Sequence, residues 1–197
     1  MPLSADQFAK AVIAAGLSSA DEIKTLWNSL PANTRPKDGE TFAKLLVEQD
    51  KLTQFQAGEL LSGSTTPLAL GDYVLLAKIG AGGMGQVFKA RHRHMERLAA
   101  IKLLPPAMTK DTEAVKRFQR EVKAAAKLSH PNIVQTYDAG VQRGVWYLVM
   151  EFVDGCDLSA VVAQEGPLPI DRAVDFMRQA AKGLAFAQDN GVVNRDI

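Results

Sequence analysis

Gly80-Ala-Gly-Gly-Met-Gly-Gln-Val87, followed twelve residues later by Ala99-Ala-Ile-Lys102, is the stretch whose reading decides the fold. Glycines at 80, 82 and 85 let backbone N–H groups approach phosphate oxygens without a Cβ in the way. The spacing alone also suits an ordinary glycine-rich hairpin. A dinucleotide fingerprint of this form opens a helix within a βαβ unit. Here the glycines run into Gln86-Val-Phe-Lys-Ala-Arg91, which reads as a strand. No Gly-Lys-Ser/Thr follows, so a Walker loop is excluded as well.

Working outward, Tyr73–Ile79, Val87–Arg91 and Leu98–Leu104 read as three strands, and Ile133–Tyr137 and Val145–Phe152 as two more. Residues 112–128 read as a helix with Val115, Phe118, Val122, Ala125 and Leu128 on one face. A long helix is expected over 170–189, with Ala173, Val174, Phe176, Met177, Ala180, Ala181 and Leu184 inward and Gly191 stopping it. Upstream the texture is helical. Ser4 with Gln7, Ser19 with Glu22 and Thr53 with Gln56 each fit a capping box. These predict helices over 5–15, 20–29, 39–49 and 54–61, a small all-α module without histidine or cysteine. Ser62-Gly-Ser-Thr-Thr-Pro67 reads as a flexible linker. The expected organisation is therefore a helical module over 1–61, a linker over 62–72 and a second domain over 73–197.

Composition bounds the function. The 197 residues are 47% apolar and 23% charged with a net charge of +1, which excludes a wholly disordered chain. No apolar run approaches the ~20 residues that span a bilayer. One cysteine, Cys156, excludes an intrachain disulfide framework and suits a reducing compartment, so a cytoplasmic protein with no membrane segment is expected. Residues 78–123 carry eleven Lys/Arg against four Asp/Glu. That excess fits either a solvated face or a phosphate partner. No arginine repeats or interleaved aromatics support nucleic acid.

Six motifs, in order, resemble the eukaryotic-type protein kinases, especially the bacterial serine/threonine kinases. Gly80–Val87 is similar to their G-x-G-x-x-G-x-V loop, and Ala99-Ala-Ile-Lys102 to V-A-I-K. Arg117-Phe-Gln-Arg-Glu121 lies on the next helix and His130-Pro-Asn-Ile-Val134 forms the turn after it. Tyr147–Val153 resembles the strand leading into the hinge, and Val192-Val-Asn-Arg-Asp-Ile197 the start of the catalytic loop. The resemblance covers residues 73–197. It implies an α+β fold: a kinase-like small lobe, with a five-stranded antiparallel sheet plus one helix, and the first helices of a large lobe.

The resemblance also assigns roles. Ile79, Gly80, Ala81, Gly82, Gly83, Met84, Gly85 and Val87 would cover ATP, with Val87 and Ala100 against the adenine and Met150 behind it. Backbone groups of Glu151 and Val153 would bind the adenine edge. Asp157 suits a ribose hydroxyl and equally the N-cap of a following helix. Lys102 would hold the α- and β-phosphates, positioned by Glu121. A lone lysine ending a strand also reads as a snorkelling surface residue, and Glu121 as a solvent-facing acid. Asp196 would be the catalytic base.

Asn194 stands where the family has histidine, and the sequence stops one residue after Asp196. The loop asparagine and Asp-Phe-Gly that hold Mg²⁺ are not in it, so no metal ligands are assigned. The expected function is ATP-dependent phosphorylation of protein Ser/Thr hydroxyls by family, with this chain inactive alone and exposing apolar surface below the hinge. The alternative is a non-catalytic nucleotide-binding or partner-binding module. A protein partner for helices 1–61 fits either.

Overall fold

The computed structural model describes residues 3–82, 85–104 and 112–192, with the side chain of Glu121 outside that set. The chain divides into two compact units, Met1–Gly82 with Gln86–Leu98, and Gly83–Gly85 with Ala99–Ile197.

The first unit starts with four helices, α1 (Ala5–Ala14), α2 (Ala20–Ser29), α3 (Gly39–Glu48) and α4 (Gln54–Ser62). All three capping boxes form. In each, the cap hydroxyl accepts the N3 amide while the N3 side chain accepts the cap amide, satisfying two donors that a helix start leaves unpaired. Asp38 caps α3 through the Thr41 amide. Gly16, just past α1, takes φ +70°, the left-handed conformation that lets the chain turn out of the helix. The apolar faces close on one core in which Phe8, Val12, Phe42 and Leu46 are buried. The Phe42 ring meets Phe8 edge-on at 6.2 Å and Trp27 at 5.6 Å, a favoured aromatic arrangement.

The same unit holds β1 (Ala69–Leu70), β2 (Tyr73–Gly82) and β3 (Gly85–His92), side by side in that order. The stretch expected to be linker is only partly that. Ser62–Ser64 are exposed, but Leu68 and Leu70 are buried, and β1 pairs antiparallel with β2, Ala69 opposite Val74 and Leu70 opposite Tyr73. The alternating Leu68-Ala-Leu70 pattern is what buries there. This strand is additional to the five read from the sequence.

The second unit carries β4 (Leu98–Leu103), α5 (Thr112–Ala125), β5 (Thr136–Gln142), β6 (Val145–Glu151), α6 (Leu158–Glu165) and α7 (Ile170–Asp189). β6 lies between β4 and β5, antiparallel to both. The fifth strand differs from its sequence expectation. Residues 133–135 precede β5, and the Ile133 amide closes a turn onto the His130 carbonyl at 3.0 Å. What sets β5 is its hairpin with β6. Arg143 and Gly144 both adopt positive φ, +51° and +78°, the twist that a two-residue hairpin turn requires.

Helix α7 spans the expected residues, and of those expected inward Ala173, Phe176, Ala180 and Leu184 are half-buried on the face that carries Gly183 and Ala187. Gly183 and Ala187 are its buried positions, whereas Val174 is 59% and Met177 61% exposed, and Ala181 is exposed too. Close packing at Gly183, where an added Cβ would lie 2.9 Å from the Asn132 carbonyl oxygen, selects that face. The His130 ring lies 5.1 Å from Phe186, and Asn132 Nδ2 donates to Gln179 Oε1 at 3.0 Å. Apolar side chains are exposed in this unit at Val153, Leu158, Val162 and Ile170.

Candidate functional site

In the first unit the glycine-bearing turn grows out of β2 and returns as β3. Ile79, Gly80, Ala81 and Gly82 end β2, and Val87 lies on β3, half-buried. A Cβ built on Gly80 would lie 3.7 Å from Val87 Cβ, ordinary contact distance, so packing within the hairpin does not require glycine there. Gly85 is different: its φ of +114° strains any side chain. Gly83 and Met84, named from the sequence, lie outside the described residues. Ile79 is exposed.

In the second unit the register brings the other candidates together. Ala100 faces Met150 directly across β4 and β6, Ala99 faces Glu151, and Lys102 faces Leu148. Ala100 is buried, and Lys102 is half-buried between Ile101 and Leu103, both buried. A cationic side chain is thus carried by an apolar strand. The Glu151 amide donates to the Gln135 carbonyl at 2.8 Å, and its carboxylate accepts the Gln135 amide at 3.2 Å. An adenine contact at Glu151 therefore rests on its carbonyl. Val153 is exposed. Asp157 takes the capping alternative: its Oδ1 accepts the Ala160 amide at 2.7 Å and starts α6. Cys156 is exposed and free.

The Glu121 carboxylate and Asp196 lie outside the described residues, as do Asn194 and Arg195. Three described carboxylates are held below their ordinary range. Glu22 is lowered by the Ser19 amide and the Ser18 and Ser19 hydroxyls, Asp38 by the Thr41 amide, and Asp175 by Arg178 and Gln179. Among the described residues no group of three His, Cys, Asp or Glu side chains could hold a metal ion.

In sequence, Thr53 and Gln56 read only as a helix cap. The structure also places them on β2: Thr53 Oγ1 donates to the Leu76 carbonyl and Gln56 Nε2 to the Leu75 carbonyl, both at 2.7 Å. The capping box was the visible signal, but its outward bonds are invisible in a linear pattern.

The protein kinase domain family matches residues 73–197. The chain belongs to that family. The chain is 40% identical over 127 residues to the serine/threonine-protein kinase PrkC of Bacillus subtilis, covering 64% of this chain and 20% of PrkC. It is 39% identical over 138 residues to the serine/threonine-protein kinase PknB of Mycobacterium tuberculosis, covering 68% of this chain and 22% of PknB. Its fold is similar to the crystal structure of the Mycobacterium tuberculosis PknI kinase domain. The TM-score is 0.58 at 33% identity, over 66% of this chain and 53% of that one. These relatives place the kinase segment among the bacterial serine/threonine kinases of eukaryotic type. The chain spans about a fifth of the length of the curated relatives it matches. No described helix is long and apolar enough to cross a membrane.

Proposed function

We propose that this chain binds ATP through the glycine-rich hairpin and Lys102, and that the protein it represents phosphorylates Ser/Thr hydroxyls. One observation carries the binding reading: packing leaves room for a Cβ at Gly80, yet the sequence keeps glycine there. That choice leaves backbone N–H groups open to phosphate oxygens. Lys102 is half-buried on an apolar strand, and a lysine ammonium is a compact point charge suited to phosphate oxygens. Val87 and Ala100 supply apolar surface for the adenine, and Met150, opposite Ala100, lies behind it.

Phosphoryl transfer rests on positioning and charge neutralisation. Lys102 orients the α- and β-phosphates with Glu121 as its ion-pair partner, and Asp196 accepts the proton of the substrate hydroxyl. Mg²⁺, when bound, neutralises charge on the phosphates; no described residue is assigned to it. A cytoplasmic location fits the single exposed thiol.

The test is a thermal-shift titration with ATP and Mg²⁺. Wild type is expected to be stabilised, and Lys102→Ala to lose about tenfold or more in affinity, the loss of one charge-assisted phosphate contact. An equal shift in both proteins would remove Lys102 from the site. A second reading, a non-catalytic nucleotide-binding module, is favoured by Asn194 in place of histidine. A phosphate-transfer assay separates the two, because transfer abolished by Asp196→Ala excludes that second reading.

A further inference from the structure

We propose that Gln56, with Thr53, is a positioning residue for the nucleotide-binding hairpin, holding the strand that leads into the glycine turn from the helical segment before it. The proposal rests on the nucleotide-binding reading above.

A helix cap needs only part of what these two side chains provide. Thr53 Oγ1 accepts the Gln56 amide at 3.2 Å, and Gln56 Oε1 accepts the Thr53 amide at 2.8 Å. Both are left with donors, and both donors go to successive carbonyls of β2, Leu76 and Leu75, at 2.7 Å. These carbonyls follow directly on Tyr73 and Val74, the two residues of β2 that pair with β1, and one more bond joins the Leu75 amide to the Leu68 carbonyl. A strand carbonyl is held more firmly where a side-chain donor bonds it. The start of α4 supplies both donors.

Phe55, between the two clamp residues in sequence, reaches the other arm of the hairpin. Its ring lies 5.7 Å from that of Phe88, a buried residue of β3 next to Val87. One turn of helix thus grips β2 four residues before Gly80 and β3 one residue after Val87.

Gln56 is 3% exposed, the buried polar residue among those described, with its amide oxygen and nitrogen both bonded. Away from water such bonds are stronger, and breaking one leaves a buried partner unsatisfied. Glycine is the most permissive backbone, so a glycine-bearing strand end depends on what holds the strand before it. Holding the arms lowers the ordering cost of binding phosphate.

The discriminating variant is Gln56→Glu in the whole chain. Glutamate keeps the capping acceptor for the Thr53 amide but turns the donor toward Leu75 into an acceptor. Hydrogen–deuterium exchange without nucleotide reads the clamp directly. Gln56→Glu is expected to exchange faster over residues 76–80 and 87–88, while α1–α3 keep their protection. Its ATP affinity falls about fivefold, the effect of one buried bond. Adenosine, which lacks phosphates, binds as before. Thr53→Ser, which preserves both bonds, behaves as wild type. Phe55→Leu, with no charge introduced, reproduces the ATP-over-adenosine split more weakly.

Unchanged exchange in Gln56→Glu overturns the clamp. Equal losses for ATP and adenosine, or losses confined to thermal stability, reduce Gln56 to a structural residue and overturn its positioning role. If wild type binds ATP and Lys102→Ala does not, such a failure belongs to this proposal alone. Wild type that binds no ATP sinks the nucleotide reading and this proposal together.

Discussion

At the scale of single residues, Glu22 shows how a short sequence signal becomes energy. Its carboxylate accepts the Ser19 amide at 2.7 Å and the Ser18 hydroxyl at 2.8 Å at the start of α2. Those bonds favour the ionised form, so its pKa is lowered, the Ser19 amide being the largest cause. A group whose folded pKa is depressed contributes stability that is present above its unfolded value. That contribution is therefore complete above pH 4.5 and is lost as pH falls through the lowered value. Glu22→Gln keeps a capping acceptor but not the charge. It should cost about 0.5 kcal/mol near neutrality, the worth of a carboxylate at an exposed helix start. Urea unfolding at several pH values is expected to show the two proteins converging in acid. A constant gap between them would remove Glu22 as a source of acid sensitivity.

At the scale of elements, α7 is placed by a glycine that a helix would otherwise prefer to lose. Replacing a mid-helix glycine with alanine gains about 1 kcal/mol in helix propensity. At Gly183 the new methyl would lie 2.9 Å from the Asn132 carbonyl oxygen and 3.4 Å from Ile133 Cγ1. Forcing extra volume into a packed contact costs about 1–3 kcal/mol, and here the obstacle is backbone. The clash wins, so Gly183→Ala should lower stability by about 1 kcal/mol, read as a lower denaturant midpoint. A higher midpoint would mean that the turn after His130 gives way. The same element shows where the linear pattern misled. Apolar spacing nominates Ala173, Phe176, Ala180 and Leu184, which are half-buried, together with Val174, Met177 and Ala181, which are exposed, and it passes over Gly183, which is buried beside residues 132–133. Glycine contributes nothing to an apolar pattern, so the tightest contact of this helix leaves no hydrophobic trace.

At the scale of the whole molecule, the helical segment and the first three strands share one compact unit. The connection between them is exposed at residues 62–65, yet Thr53, Phe55 and Gln56 of the helical side are bonded to or packed on β2 and β3. Limited proteolysis should therefore cut within 62–65 first, since exposed tips with small polar residues are preferred sites. The two pieces are expected to co-elute under native conditions and to separate in urea. Separation without denaturant would mean that the helices are tethered rather than packed.

Local chemistry determined much of this protein. Three capping boxes and the ordered glycine, lysine and hinge motifs were legible because each depends on neighbours within four or so residues, or on a family's fixed spacing. Only tertiary structure decided the rest. It assigned Asp157 to a cap, tied the Glu151 amide to Gln135, and drew Leu68 and Leu70 out of the linker into a strand edge. It also turned the spare donors of Thr53 and Gln56 onto carbonyls 23 and 19 residues away. A side chain's second hydrogen bond leaves no mark in sequence spacing, because its partner is chosen by packing across the chain and not by the residues beside it.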